Sequence, residues 1–297
     1  MAGNEVRHLA CYADAVDTNV PEIASWTTSA SNYLHIFTPR HSIEVGVSQR
    51  HAGVWQDTGA FTVDLSGGQT DVAIRISSDD VWIEGLQIHA NRSGGSNGGV
   101  NVTALRADGR VRVSECIIRG DNATVGSQYF GVDIWDTPST AVLEVVNNVI
   151  YGFGGSAGIQ SGIWAESGER RAVNNTVVSC AVGARTTSHG AYVGSMLASN
   201  NIFYGCSTAA SGSFLSGTGN NATELASFVY SVAGGAGTDF PSSSFGFVSE
   251  SNKNFHLANN DTGARSRGAA IDSVSTDIDG DSRPQGAGWD IGADEVP

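Results

Sequence analysis

Lysine is nearly absent from this 297-residue chain: Lys253 is the single one, and the rest of its 16 basic residues are arginine. Against 30 acidic residues the net charge is −14. A surface so poor in positive charge repels phosphate backbones and anionic lipid, which argues against nucleic acid as the main partner and against anionic membranes. Charged residues of both signs make up only 15% of the chain, yet apolar residues reach an ordinary 40%, so a folded core is expected rather than disorder. No apolar run approaches the ~20 residues of a membrane-spanning helix. The opening MAGNEVRHLA lacks the basic and apolar regions of a secretory leader. The expectation is a chain that stays where it is made, one whose leader is missing from this sequence, or one that leaves the cell in a particle released by lysis. The four cysteines, Cys11, Cys116, Cys180 and Cys206, are too few and too scattered for a disulfide scaffold or a zinc knuckle. The seven histidines (His8, His35, His41, His51, His89, His189 and His256) show no metal spacing such as HExxH. No P-loop is present, and no GxSxG elbow lies between a strand and a helix.

Proline is scarce too, at 6 residues, while glycine is abundant, at 38. That combination suits continuous backbone ladders joined by many tight corners. A repeat runs through the middle of the chain. VWIEGLQI (81–88), VRVSECII (111–118), LEVVNNVI (143–150), AVNNTVV (172–178) and ASNNIF (198–203) each read as an alternating strand, a two-residue kink and a second short strand. With Gly85, Glu115, Asn147, Asn174 and Asn200 taken as equivalent, the steps are 30, 32, 27 and 26 residues. One coil of three short strands plus turns has that length, and a repeat of this size identifies a solenoid. Only Val20–Tyr33 hints at the 3.6-residue period of a helix. Three zones follow: residues 1–70 as an N-terminal cap and first coils, 71–215 as the regular stack, and 216–297 as irregular coils with a closing element, since both ends of a solenoid need covering.

Asparagine pairs recur at one corner, at 147/148, 174/175 and 200/201. Equivalent residues of adjacent coils lie about 4.8 Å apart, so Asn148, Asn175 and Asn201, which can both donate and accept, form a structural ladder. Cys180 and Cys206 stand at the same offset beyond their asparagines and should stack, as two buried thiols or as a disulfide. Together these repeats resemble the coils of right-handed parallel β-helix proteins of the pectate-lyase-like superfamily, over about residues 74–206. The ending DIDGDSRPQGAGWDIGADE (277–295) is similar to the D-x-D-G-D-x-R-P-x-G…D-I-G-A-x-E ending of many bacterial, planctomycete and phage β-helix proteins, some labelled choice-of-anchor Q. WTTSASNYLHIFTP (26–39) and NFHL (254–257) resemble the first coil and the approach to the tail in such proteins. The resemblance implies an all-β parallel β-helix. It leaves function open, because members include lyases, hydrolases, surface proteins and phage structural proteins.

Three constellations could carry chemistry. In the first, GVDIWD (131–136) is set over SGIWAE (161–166) with Ile134 above Ile163, which stacks Trp135 on Trp164. Facing outward, the two indoles form a carbohydrate-binding platform, with Gln128, Tyr129 and Tyr151 nearby to supply polar contacts; with the opposite parity the indoles are core or subunit-interface packing. In the second, Asp133, Asp136 and Glu166 are the catalytic candidates for glycoside hydrolysis, which needs two carboxylates about 5–10 Å apart. Arg170, Arg171, Arg185, His189 and Tyr129 are the corresponding candidates for lyase chemistry, and solvated turn residues are the alternative for the whole set. In the third, Asp277, Asp279 and Asp281 around Gly280 read either as a structural calcium loop or as a knot in which Arg283 pairs with Asp290 or Asp294. The triplets at Asn101, Asn122 and Asn221 fit glycosylation acceptors but arise by chance in a chain of this composition.

The sequence therefore leads to an expectation of a non-catalytic surface or virion component (a phage decoration protein, fibre or spike) that self-associates, binds glycan and needs no cofactor beyond the calcium of the third constellation. The alternative is an extracellular polysaccharide lyase or hydrolase.

Overall fold

The computed structural model describes residues 5–19, 21–45, 49–65, 72–90, 97–121, 128–155, 159–232 and 237–297, together with the backbone but not the side chain of Val45, Asn97 and His189. Within these residues almost every regular element is a β-strand; the helical turns are Ser42–Val45 and Glu250–Asn252. The helical period expected at 20–33 is not realised over the described residues 21–33. Glu22–Ala24 is instead a strand paired in parallel with Val72–Ser77, because the chain there supplies a coil edge and has nothing for an isolated helix to pack on.

The strands stack into three faces. A long-strand face runs Glu22–Ala24, Val72–Ser77, Asn97–Thr103, Gln128–Trp135, Ile159–Ala165, Val182–Thr186 and Thr208–Phe214. A middle face runs Arg7–Ala10, Leu34–Phe37, Val81–Glu84, Arg110–Ser114, Val142–Val146, Glu169–Val173 and Ser195–Ser199. A short face runs Thr62–Asp64, Gln87–Ala90, Ile117–Gly120, Val149–Tyr151, Thr176–Val178, Ile202–Tyr204 and Ala222–Thr223. All neighbours within a face are parallel, and each chain path visits the long-strand, middle and short faces before rising one coil. Parallel crossovers of this kind wind right-handed. The molecule is thus a right-handed parallel β-helix. At its last regular coil Thr208–Phe214 pairs with Val182–Thr186 at one end and with Met196 at the other, which joins two faces into one 15-stranded sheet.

Alternation along the strands sends Ile74, Val100, Val132, Ile163 and Ala184 of the long-strand face and Ile83, Val113, Val145 and Ala172 of the middle face into one continuous core. Glycine sets where the long strands approach the short face. A Cβ on Gly131 would stand 2.5 Å from Ile150 Cγ2, and one on Gly162 2.4 Å from Val177 Cγ1. Gly131 and Gly162 are neighbours in the ladder, since Val132 pairs with Ile163.

The corner between the middle and short faces is the two-residue kink. Glu115, Asn147, Asn174 and Asn200 all adopt the left-handed conformation there, with φ of 52°, 53°, 52° and 56°, and Gly85 precedes them in the same column at 74°. This conformation favours Asn and Gly. The next residue of each coil turns inward and forms a ladder. Asn148 donates to Asn175 Oδ1 at 3.0 Å, Asn175 to Asn201 Oδ1 at 2.9 Å, and Asn201 to Asn221 Oδ1 at 2.9 Å. Asn221 and Asp239 carry the chain of bonds one step further. Cys180 and Cys206, two residues beyond the paired Val178 and Tyr204, are free thiols, and burial together with its neighbour pushes the Cys180 thiol up.

The C-terminal segment lies along the side of the stack. Phe255, Ile278 and Ala293 cover Ile117, Val149, Tyr151 and Val178 of the short face, and Leu257, Ala264, Ile291 and Val296 cover Ile202 and Ala222. The outward asparagines of the kink dock it: Asn147 donates to Thr276 O at 2.6 Å, Asn174 to Gly292 O at 3.2 Å, and Asn200 to Ala269 O at 2.8 Å. The Arg283 side chain is fully buried and pairs with Glu295 at 2.8 Å. The expected pairing with Asp290 or Asp294 is corrected, because those carboxylates accept backbone N–H groups, Asp290 from Ser266 and Val296 and Asp294 from Leu257.

Candidate binding cleft

The residues singled out from the sequence come together only in part. The pairing register sets Asp133 beside Trp164 and leaves Trp135 beside Thr103, so the two indoles do not stack. The coil step is 31 residues, Val132 to Ile163, because the glycine column aligns Gly131 with Gly162. Trp164 is 1% exposed. It packs edge-on against Phe130 at 6.2 Å, and its indole N–H donates to Thr187 Oγ1 at 2.9 Å. Tyr129 is buried in the core; its hydroxyl donates to Ala90 O and accepts the Asp121 N–H, both at 2.8 Å. It is a brace between coils and presents no surface to a ligand. Exposed stacked aromatics do occur, on the middle face, where Tyr33 lies on Trp82 at 4.2 Å.

Of the carboxylates, Asp136 is exposed just past the end of its strand, while Asp133 and Glu166 are buried. Arg170 joins them. It occupies the column of Leu143 and Met196, its Nη1 donates to Val132 O at 3.0 Å, and its Nη2 lies 3.9 Å from Asp133 Oδ1. Burial pushes the Asp133 carboxyl up to about 8 against the pull of Arg170. The Arg170 guanidinium is lowered to about 9 by the same burial. Asn101 donates to Asp133 at 3.2 Å and Gln128 to Glu166 at 3.2 Å. This is a polar knot in the wall of the solenoid. Arg171 pairs with Glu169 at 2.8 Å on the outside, and Arg185 sits beside Trp164 in the ladder. The His189 side chain and Asn122 lie outside the described residues. Asn101 and Asn221 are buried.

The Asp277–Asp281 turn does not converge on a point. Asp277 Oδ1 accepts the N–H groups of Asp279 and Asp281 at 2.9 and 2.8 Å, and its Oδ2 accepts that of Glu295 at 3.0 Å. Asp279 instead faces His256 at 2.7 Å.

The surface with the form of a binding site lies elsewhere, on the outside of the short face. The ladder lines up Asp64, His89, Arg119 and Tyr151 on four successive coils. Next to this row is a cleft of about 410 Å³ lined by Trp55, Asp57, Arg119, Asp121, Tyr151, Lys253 and Phe255 among others. A shallower hollow of about 170 Å³ continues it past Trp55, Asp57 and Arg119 to Asp64 and His89. Clefts of a few hundred Å³ with convergent polar groups are the usual form of small-ligand sites. Gly152 lies at the cleft edge with φ 82°, where a Cβ would meet Gly120 O at 2.1 Å, so the strand ends close together as only glycine allows.

The polar groups of the cleft are held in place by one another. The Arg119 guanidinium lies 5.2 Å from the Trp55 ring centre. Its Nη2 is 3.3 Å from Asp121 Oδ1, and Asp121 Oδ2 is 3.1 Å from His89 Nε2. His89 Nδ1 is 3.3 Å from Asp64, and the Trp55 indole N–H donates to Asp57 at 3.2 Å. Burial pushes the Tyr151 hydroxyl up, so it remains a neutral donor and acceptor. Lys253 enters from the far side, in the left-handed conformation that ends the turn Glu250–Asn252. Of these residues only Tyr151 was a candidate from sequence, as a polar contact beside the expected tryptophan platform. Their signal is the column Asp64–His89–Arg119–Tyr151, which appears once the short strands are aligned coil by coil; Trp55 and Lys253 come from loops with no repeat to mark them.

Fold and cleft define a class, the parallel β-helix with a lateral, aromatic-lined cleft. No family model matches the chain, and no curated protein matches it. Among solved structures it is similar to pectate lyase Pel9A, with a TM-score of 0.39 and 11% identity over 98% of this chain and 86% of that one. A likeness this distant carries no activity from one protein to the other.

Proposed function

We propose that the chain is a binding protein for neutral glycans, with the Trp55–Arg119 cleft as its site and a virion or cell surface as its setting. The observation that carries the reading is the lining: a half-buried indole beside donors and acceptors already fixed by mutual hydrogen bonds. Sugars are recognised through an apolar ring face and planar, preorganised polar groups. Arg119 is neutralised by Asp121, and Asp57 and Asp64 lie nearby, so the cleft favours hydroxyl-rich neutral chains over uronates. A second reading is glycan cleavage; the placing of His89 between Asp64 and Asp121, at the mouth of the adjoining hollow, is what favours it.

One panel decides. The protein is incubated with neutral and anionic polysaccharides, and retention, unsaturated products and new reducing ends are measured. Retention on a neutral glycan without cleavage is expected, and Trp55→Ala is expected to weaken it about tenfold or more with an unchanged unfolding temperature. New reducing ends that disappear in Asp121→Asn would favour the second reading. No retention on any polysaccharide, or retention that Trp55→Ala leaves intact, sinks the cleft as the site.

A further inference from the structure

A second cluster, separate from the cleft, ties the C-terminal segment to the stack. One nitrogen of His256 and one carboxylate oxygen each of Asp279 and Asp294 lie within 4.8 Å of one another. They come from three places: the strand Asn254–Leu257, the turn after Asp277 and the last residues of the chain. The His256 ring is oriented from behind. Its Nδ1 is 2.6 Å from Asn254 Oδ1. An amide oxygen only accepts, so Nδ1 carries a proton and Nε2 is the nitrogen that faces Asp279 Oδ2, 2.7 Å away, where an ion would replace the proton the two share. Metal-binding histidines are held in this manner by an acceptor on the other nitrogen.

An independent observation sits beside the cluster. His51 is 4% exposed. Its Nδ1 accepts the Gly53 N–H at 3.2 Å, which leaves the proton of the neutral ring on Nε2, and Nε2 makes no well-formed hydrogen bond among the described residues, the Glu115 backbone being a weak partner of the ring. Gly53 itself abuts the cluster: a Cβ there would stand 2.1 Å from His256 Nε2 and 3.0 Å from Asp279 Oδ1. A buried N–H donor with so weak an acceptor is costly. A water or hydroxide on an ion in the cluster is the kind of acceptor it calls for.

We propose that His256, Asp279 and Asp294 bind a divalent cation of the zinc type, with His51 as a donor to a water on it. One imidazole nitrogen with two carboxylate oxygens suits Zn²⁺ and its first-row neighbours. Ca²⁺ takes six to eight oxygens, and the Asp277 carboxylate is taken up by three backbone N–H groups. The ion clamps the tail to the strand beneath it.

The test uses the full chain, stripped with chelator and returned to buffer near neutral pH. It is titrated with Zn²⁺ by calorimetry and with Co²⁺ by visible absorption. One equivalent is expected to bind, with d–d bands for Co²⁺ and a raised unfolding temperature. His256→Ala is expected to weaken binding at least about tenfold, and Asp281→Asn to leave it unchanged. Absence of saturable binding to the unmodified protein overturns the site and leaves a protonated His256 between two carboxylates. Binding that survives His256→Ala overturns it as well, and so does Ca²⁺ binding lost only in Asp281→Asn. If His256→Ala fails to fold, the Co²⁺ bands of the unmodified protein and the His256→Gln variant decide.

Discussion

Arg170 stands where its neighbours in the ladder are Leu143 and Met196, and nothing in the alternation of its strand marks it as different. Its Nε and Nη2 have no hydrogen-bond partner among the described residues, and neither has Asp133 Oδ1. A buried pair of this kind contributes little net stability while intact and is costly to break. Above about pH 8, where folded Asp133 is ionised, Arg170→Leu is therefore expected to destabilise the fold by about 3–5 kcal/mol in urea unfolding, with Asp133→Asn added to Arg170→Leu restoring most of the loss. A double variant no more stable than the single one would remove the pair as the cause. The sign of the pH effect follows from the same burial. Unfolded, Asp133 gives up its proton near the ordinary carboxylate value of 3.8; folded, it keeps it up to about 8. The folded state binds more protons in between, so stability falls as pH rises through that window. Asp133→Asn should flatten the slope between those two values in the same urea measurements. Composition showed that charge was scarce; only the register showed that an arginine and an aspartate were buried together.

The asparagine pairs act at the level of the coil, and the two members differ in role. The first of each pair takes the left-handed corner and holds the tail, as Asn174 does with Asp290 and Gly292. The second faces in and bonds to the coils on either side, as Asn175 does with Asn148 and Asn201. Asn175→Ala removes several buried hydrogen bonds and leaves partners unsatisfied, so a loss of about 2–4 kcal/mol is expected. Asn174→Gly keeps the corner conformation and should cost less than half as much. Equal losses in thermal unfolding would contradict this division. The ladder was legible because it repeats at the period of the coil. The tryptophan platform was misread for the same reason that a solenoid is hard to align by hand: Ile134 and Ile163 look equivalent, but a two-residue change of step moves Trp164 from above Trp135 to beside Asp133. The glycines Gly131 and Gly162 held the correct alignment, since nothing larger fits against Ile150 and Val177.

Over the whole molecule, the C-terminal segment completes the hydrophobic layer outside the short face. Removing residues 276–297 takes away Ile278, Ile291, Ala293 and Val296 and uncovers Val149, Tyr151 and Ile202. Strands of an open parallel sheet with an apolar outer face aggregate. The truncated chain is expected to scatter light and bind a hydrophobic dye at temperatures where the full chain does neither. A monodisperse, dye-silent truncation would show that the segment is dispensable for the stack.

Strand periodicity, glycine without proline and the recurring corner asparagines determined the solenoid and the length of its coil, because these are local and repeat. Tertiary structure decided which acids are buried, where the tail lies and which polar groups share a cleft. Trp55, Arg119 and Lys253 are 64 and 134 residues apart in sequence, and His256 meets Asp294 only because the tail folds back along the side of the stack. Contacts between a repeat and the irregular segments laid across it depend on register and on the path of the chain in space, and neither has a period to read.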